Sequence, residues 1–252
     1  MDLGIKDKVA LVTGAGRGLG RRVALALAKE GCRVVVGDVN QEGVNKVAEE
    51  IKALNGQALP FLCDITKPDQ IAAMLQTIAS TWKAVDILVN NAAVLDNMAP
   101  IERMKDELWL RDISVNLTGT YYITKACFPG MKAQNWGRIV SMSSVAGAFG
   151  GFGQASYSAS KGGVTSLMKT VALEGGKFGV TANSLIGGLI NTEIYPSIRA
   201  DMRERLEKRT VFGRPANPDE IVDSIVFLCS ERASYVTGSE YYMTGGIHLF
   251  TF

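Results

Sequence analysis

The stretch that most restricts the fold lies near the N-terminus: an apolar run, a glycine-rich turn and a helix-forming segment in immediate succession. Val9-Ala-Leu-Val12 suits a strand buried on both faces. Thr13-Gly-Ala-Gly-Arg-Gly-Leu-Gly20 follows it, and Arg22-Val-Ala-Leu-Ala-Leu-Ala-Lys29 has strong helix formers. A strand entering a helix through a glycine turn brings backbone N–H groups and a helix N-terminus together, where a pyrophosphate binds well. Gly14, Gly18 and Gly20 carry the spacing, with Gly16, Arg17 and Leu19 between them, a G-x-x-x-G-x-G pattern in place of G-x-G-x-x-G.

The rest of the chain repeats this alternation of strand and helix, the mark of a parallel sheet covered on both faces. Strands are expected at 9–13, 33–38, 58–63, 85–90, 137–143, 180–185 and 240–243, and helices at 18–30, 41–55, 68–82, 104–132, 157–174 and 218–230. The predicted fold is α/β, a Rossmann-type doubly wound parallel sheet of about seven strands in three layers. No repeat or linker divides the 252 residues, so one domain over 1–252 is expected, with a substrate-side excursion at about 187–212.

The second informative stretch is Tyr157-Ser-Ala-Ser-Lys161, with Ser144 thirteen positions upstream. Four residues apart on a helix, the phenol and the ammonium share a face, and the positive charge favours the phenolate. That arrangement makes a proton donor and acceptor of a group whose free pKa is about 10. A serine hydroxyl nearby can hydrogen-bond the oxygen that gains or loses the proton. The spacing occurs twice, since Tyr121-Tyr-Ile-Thr-Lys125 matches it as well; only the later pair has the upstream serine.

Together with Asp64-Ile65, Asn90-Asn-Ala92 and Asn116, these elements resemble the short-chain dehydrogenase/reductase family from about Lys6 to Gly246. The resemblance implies an enzyme that moves a hydride between a nicotinamide cofactor and a secondary alcohol or ketone. It implies roles for Tyr157 as proton-exchanging group, Ser144 as hydrogen-bond donor to the substrate oxygen and Lys161 on the nicotinamide ribose. Asn116, unfavourable in mid-helix by propensity, is expected to hold a kink or a water of the proton relay. The cofactor set is Gly14, Gly16, Arg17, Gly18, Leu19, Gly20, Asp38, Asp64, Ile65, Asn90, Ala92, Tyr157, Lys161, Ile190 and Thr192. The thirteen-residue interval in relatives selects Ser144 over Ser143.

Asp38, at the end of the second strand, can accept both ribose hydroxyls of an adenosine and repels a 2′-phosphate. Arg17 pulls toward NADP, but Val39-Asn-Gln41 supplies no second basic group, so NAD is expected, with NADP as the alternative. Val94, Leu95, Phe149, Phe152, Leu189, Ile190, Ile194 and Tyr195 suggest an apolar substrate. The runner-up is an NADPH-dependent ketoreductase similar to 3-oxoacyl-carrier-protein reductases, with Arg103, Lys105, Arg199 and Arg203 as a docking patch. A nucleotide-binding scaffold without turnover is a third reading, opposed by the presence of every catalytic residue type.

The sequence departs from the family pattern at Ala93, at Gly187-Gly188 in place of Pro-Gly, at Gly175-Gly176 and at Thr244. The two glycines at 187 and 188 suggest a freely moving entry to the substrate segment. A net charge of +2 gives no case for a nucleic-acid partner, and no apolar run approaches a membrane span or a signal-peptide core. Four isolated cysteines read as free thiols of a cytoplasmic protein, and a single histidine, His248, gives no support to a metal site or a Ser-His-Asp triad. Val164, Leu167, Met168, Val171 and Leu173 spread over more than one stripe of their helix. That predicts pairing across a two-fold axis, and the resemblance extends it to a homotetramer, with a homodimer as the smaller option.

Overall fold

The protein is described by a computed structural model covering residues 2–193 and 195–249; the expectation for Ile194 lies outside the described residues. Seven parallel strands form one sheet: β1 (Val9–Thr13), β2 (Arg33–Asp38), β3 (Gln57–Leu62), β4 (Ile87–Asn90), β5 (Gly137–Ser144), β6 (Val180–Gly187) and β7 (Glu240–Met243). Their order is β3-β2-β1-β4-β5-β6-β7, so the chain winds outward from β1 in one direction and then returns to continue in the other. The switch falls between β1 and β4, the place where an open α/β sheet leaves a crevice beyond its strand ends.

Helices α1 (Gly18–Lys29), α2 (Gln41–Ala53), α3 (Pro68–Thr81), α4 (Asp106–Ile113), α5 (Thr120–Gln134), α6 (Val145–Phe149), α7 (Ala155–Gly175), α8 (Ala200–Glu207) and α9 (Pro218–Leu228) complete the chain. One apolar layer packs α1, α2 and α9 on the sheet through Val23, Leu27, Val47, Ile51, Ile221 and Ile225. The other packs α3, α5 and α7 through Ile71, Met74, Ile123, Met131, Met168 and Val171. The alternation of strand residues between these layers accounts for the unbroken apolar runs seen in the sequence.

Three features differ from the sequence reading. The helix expected over 104–132 is broken: a π-helical segment, Ser114–Gly119, separates α4 from α5. Short α6, directly after β5, was not anticipated. On α7, Val164, Met168 and Val171 are buried against the sheet and only Leu173, 87% exposed, stands out, so the apolar surface left on this helix is narrower than expected. The four cysteines are buried and unbridged. Among the described residues, no helix is long and apolar enough to cross a membrane.

Candidate active site

The glycine loop is fixed by contacts that only glycine permits. Gly14 and Gly18 have φ of 62° and 58°, a region that side-chain-bearing residues avoid. A Cβ on Gly20 would lie 2.2 Å from the Gly14 carbonyl oxygen, whereas one on Gly18 would meet open space. Gly18 thus faces the crevice, and Gly20 lets α1 seat against the loop. The first turn of α1 has no acidic residue and no side-chain cap, so its N–H groups remain available to an anion. The residues present therefore fit a dinucleotide pyrophosphate.

Residues outside the predicted set hold this loop. Asn91 donates from Nδ2 to the carbonyls of Thr13 (3.1 Å) and Gly14 (3.0 Å), and Thr13 Oγ1 accepts from the N–H of Asn91 and of Ala92. The sequence signal was present in Asn90-Asn-Ala92, but the first asparagine received the role. Asn90 turns inward instead, donating to Thr124 and Ser141, and its Oδ1 is buried without a partner. Asp38 Oδ2 accepts from the Gly16 N–H at 2.9 Å and Oδ1 from the Asn40 N–H at 3.0 Å, which aims the carboxylate along the glycine loop. Arg17 is exposed at the mouth of the loop. Asp64 caps a turn through Thr66, and Ile65 packs against Gly119, so their side chains serve local structure here.

On the other side of the crevice, β5 ends in Ser143 and Ser144. Ser143 is spent internally: its hydroxyl donates to the Lys161 carbonyl at 2.9 Å and accepts from Thr165. Ser144 accepts from the Ala146 N–H at the start of α6, and its side chain lies beside the Tyr157 hydroxyl. Lys161 is buried on α7, and its Nζ donates to the Met142 carbonyl at 2.7 Å. The ammonium lies 5.7 Å from the Tyr157 ring centre. Burial pushes Lys161 down to about 8, with no carboxylate to oppose it.

Burial also pushes the Tyr157 phenol up, and the neighbouring Ser144 side chain offsets part of this. The expectation that Lys161 lowers the tyrosine pKa is therefore not met, since the phenol is held above its ordinary value. Desolvation is the largest influence on the phenol, and the ammonium, 5.7 Å from the ring centre, does not reverse it. The second Tyr-Lys match behaves differently: Tyr121 and Lys125 both face solvent on α5.

Asn116 sits in the π-helical segment and is fully buried. Its side-chain amide bonds both backbone groups of Val94, accepting at 2.8 Å and donating at 3.0 Å. The kink is therefore present, and its side chain ties the segment after β4 to the α4–α5 junction.

At the end of β6, Gly187 forms the last rung between Ser144 and Met243, and a Cβ on Gly188 would lie 2.8 Å from the Thr244 Cα. Gly188 permits close packing, a different use from the freedom the sequence suggested, while Gly187 has only ordinary contacts around it. Ile190 bridges to Ala216, and Asn191, Thr192 and Glu193 line a cleft with Gly18, Leu19 and Arg22. Tyr195 is buried, with its hydroxyl on Glu207, so it packs this segment and does not line a substrate wall. Phe152 is 91% exposed. His248, bonded to Thr244 at 2.7 Å, stacks on Phe149 at the outer end of α6.

Residues 14–248 match the family model described as Enoyl-(Acyl carrier protein) reductase. The chain is 36% identical to a 3-oxoacyl-(acyl-carrier-protein) reductase of Thermotoga maritima, over 96% of this chain and 98% of that protein. It is 38% identical to the Vibrio harveyi protein of the same name, over 98% and 100%. A crystal structure from Agrobacterium tumefaciens, provisionally assigned as a gluconate dehydrogenase, superposes with a TM-score of 0.96 at 28% identity, covering both chains entirely. With this fold, this glycine loop and a Ser-Tyr-Lys grouping at the strand ends, the chain belongs to the short-chain dehydrogenase/reductase family of NAD(P)-dependent oxidoreductases acting on CH–OH and C=O groups.

Proposed function

We propose that this oxidoreductase uses NAD to interconvert a secondary alcohol and a ketone of apolar character, with Tyr157 exchanging the proton. The observation that carries the reading is the Ser144–Tyr157 contact beside buried Lys161, across the crevice from the glycine loop. In reduction, the Tyr157 hydroxyl gives its proton to the carbonyl oxygen, and Ser144 donates a hydrogen bond to the same oxygen as charge develops there. Lys161 exchanges its Met142 carbonyl for a ribose hydroxyl and faces the phenolate left behind. The nicotinamide, when bound, supplies or accepts the hydride. Gly14, Gly18 and Gly20 receive the pyrophosphate, while Ile190 and Thr192 close on the carboxamide side.

Asp38 supports NAD over NADP. Its carboxylate is already oriented by the Gly16 and Asn40 N–H groups, and it offers the remaining lone pairs to two ribose hydroxyls. A 2′-phosphate would meet that negative charge. The competing reading, an NADPH-dependent reductase of carrier-bound 3-oxoacyl groups, draws on the names of the relatives. Its docking patch is weakened by internal pairing: Arg199 bonds Asp201 at 2.6 Å and Arg103 lies 4.0 Å from Glu102. Assembly as a homotetramer completes the reading; Leu110, Tyr121 and Leu173 leave apolar surface on α4, α5 and α7 for a second chain to cover.

The test is a matrix of NAD and NADP reduction against apolar secondary alcohols, with the ketones and a 3-oxoacyl thioester run in reverse. The expected result is a kcat/KM at least about tenfold higher with NAD, on an apolar alcohol. Preference for NADPH with the thioester would establish the competing reading.

A further inference from the structure

Asp112 is fully buried near the end of α4, where an apolar residue would pack against α7 without the cost of desolvating a carboxylate. Its two oxygens are used in different directions. Oδ2 accepts from the Ser156 hydroxyl at 2.6 Å, and the Asn97 amide nitrogen lies 3.5 Å away. Oδ1 accepts from Arg111, at 3.2 Å from Nε and 3.0 Å from Nη2, and the same guanidinium reaches Asp96. Ser156 immediately precedes Tyr157, while Asp96 and Asn97 belong to the segment after β4 whose Val94 is held by Asn116.

Helix α7 also lacks the usual means of finishing its start. Its first turn contains no acidic residue, and Gln154 at the N-cap makes no side-chain cap hydrogen bond. Tyr157 stands in that first turn. A carboxylate supplied by α4 at this point gives the positive end of α7 its missing negative charge. It also grips a hydroxyl one residue from the phenol. The neighbouring backbone link, Ala99 N–H to the Gly153 carbonyl at 2.9 Å, ties the same two segments from the other side.

We propose that Asp112 is a positioning residue: through Ser156 it fixes the first turn of α7, and with it Tyr157, against the segment after β4 that borders the substrate. The proposal rests on the assignment of Tyr157 as the proton-exchanging group. The distance from Ser144 to Tyr157 then depends on a carboxylate that touches neither substrate nor cofactor.

The experiment uses Ser156→Ala, Ser156→Thr, Asp112→Asn and the Ser156→Ala/Asp112→Asn pair in the full chain. Each is measured for kcat, KM, ADP affinity and melting temperature, with Tyr157 titrated by NMR of ring-labelled tyrosine and assigned with Tyr157→Phe. Ser156→Ala should lower kcat by about tenfold, because small misplacements of a reacting group are costly. ADP affinity should stay within about twofold, since ADP meets only the glycine loop and the adenosine side. Ser156→Thr should restore kcat, and the double variant should lose no more than the worse single.

In Ser156→Ala the Tyr157 pKa should fall toward its ordinary value as water reaches the ring. This readout stands even if no substrate is turned over, and it separates a failure of this proposal from a failure of the functional reading. A Ser156→Ala protein with kcat within twofold of the parent, or with an unmoved Tyr157 titration, would reduce Asp112 to a packing element. Should Asp112→Asn fail to fold, Ser156→Ala and Ser156→Thr decide the matter alone.

Discussion

The two edges of the sheet handle buried charge in opposite ways. At the N-terminal ends of the strands the two fully buried ions, Arg138 and Asp86, are answered, although Arg33 Nε and Thr181 Oγ1 lack partners there. Arg138 donates to the carbonyls of Ser230, Gly137 and Gly179 and to Glu231, and it lies 4.4 Å over the Trp136 ring, whose centre is 3.7 Å from the Lys8 ammonium. Asp86 accepts from the Val9 N–H at 2.8 Å and pairs with Lys83 at 2.9 Å. At the C-terminal edge Lys161 has one carbonyl and no carboxylate, and the buried Oδ1 of Asn90 has no partner. The same sheet supports both, so the difference is one of use. Compensated charge fixes the fold, whereas a deficit of partners leaves lone pairs and protons for a ligand.

The comparison breaks most visibly at Tyr157. Replacing it with Phe removes only the hydroxyl, and kcat should fall by about 10²–10⁴-fold, the range for a lost general acid or base. Nicotinamide fluorescence titration should show retained cofactor binding, and Tyr121→Phe, at the solvent-facing match, should stay within about twofold in kcat. Near-normal rates in Tyr157→Phe would remove it from the chemistry.

At the opposite edge the loss should be in stability and not in rate. Arg138→Met removes the donor to three carbonyls and leaves Glu231 to solvent and Trp136, and chemical denaturation should show a loss of about 3 kcal/mol. The kcat should be little changed. An equal loss of activity at a temperature well below unfolding would show that the two edges are coupled.

Lys161→Met should act in the reverse sense on stability. The folded-state pKa is depressed to about 8, below the ordinary 10.5 of a lysine, so between these values the unfolded chain binds more protons. Stability therefore rises with pH through that window, and at pH 7 the protonated lysine weighs against the fold by up to about 3 kcal/mol. The Met variant should be more stable than the parent at pH 7, with the gap closing toward pH 10, and should be almost inactive. The smallest expected effect is at Asp38: Asp38→Asn keeps one acceptor and loses the charge, shifting the NAD to NADP ratio of kcat/KM by about tenfold toward NADP. An unmodified protein that already prefers NADP would contradict the role given to Asp38.

What was legible in the sequence was what neighbours in the chain decide. The apolar runs and the glycine turn located β1, β2 and α1 to within a residue, because burial on both faces and positive φ leave marks at the positions themselves. Ser144, Tyr157 and Lys161 were legible through their spacing. What distant parts of the chain decide was not. The break at Ser114–Gly119 depends on Asn116 reaching Val94, twenty-two residues earlier, and the inward turn of Asn90 depends on Thr124 and Ser141. Gly188 reads as loose until Thr244 is seen packed against it, and nothing in the sequence around Asp112 marks it as buried under α7.

The central claim is that the C-terminal edge keeps a buried cation without a compensating charge. Its most direct test is titration of the Lys161 side chain by heteronuclear NMR in the ligand-free protein, with the resonance assigned by its disappearance in Lys161→Met. The expected midpoint is about 8, where burial places it. A midpoint at the ordinary 10.5 would mean that water or an unseen partner already compensates the charge, and the contrast between the two edges would not stand.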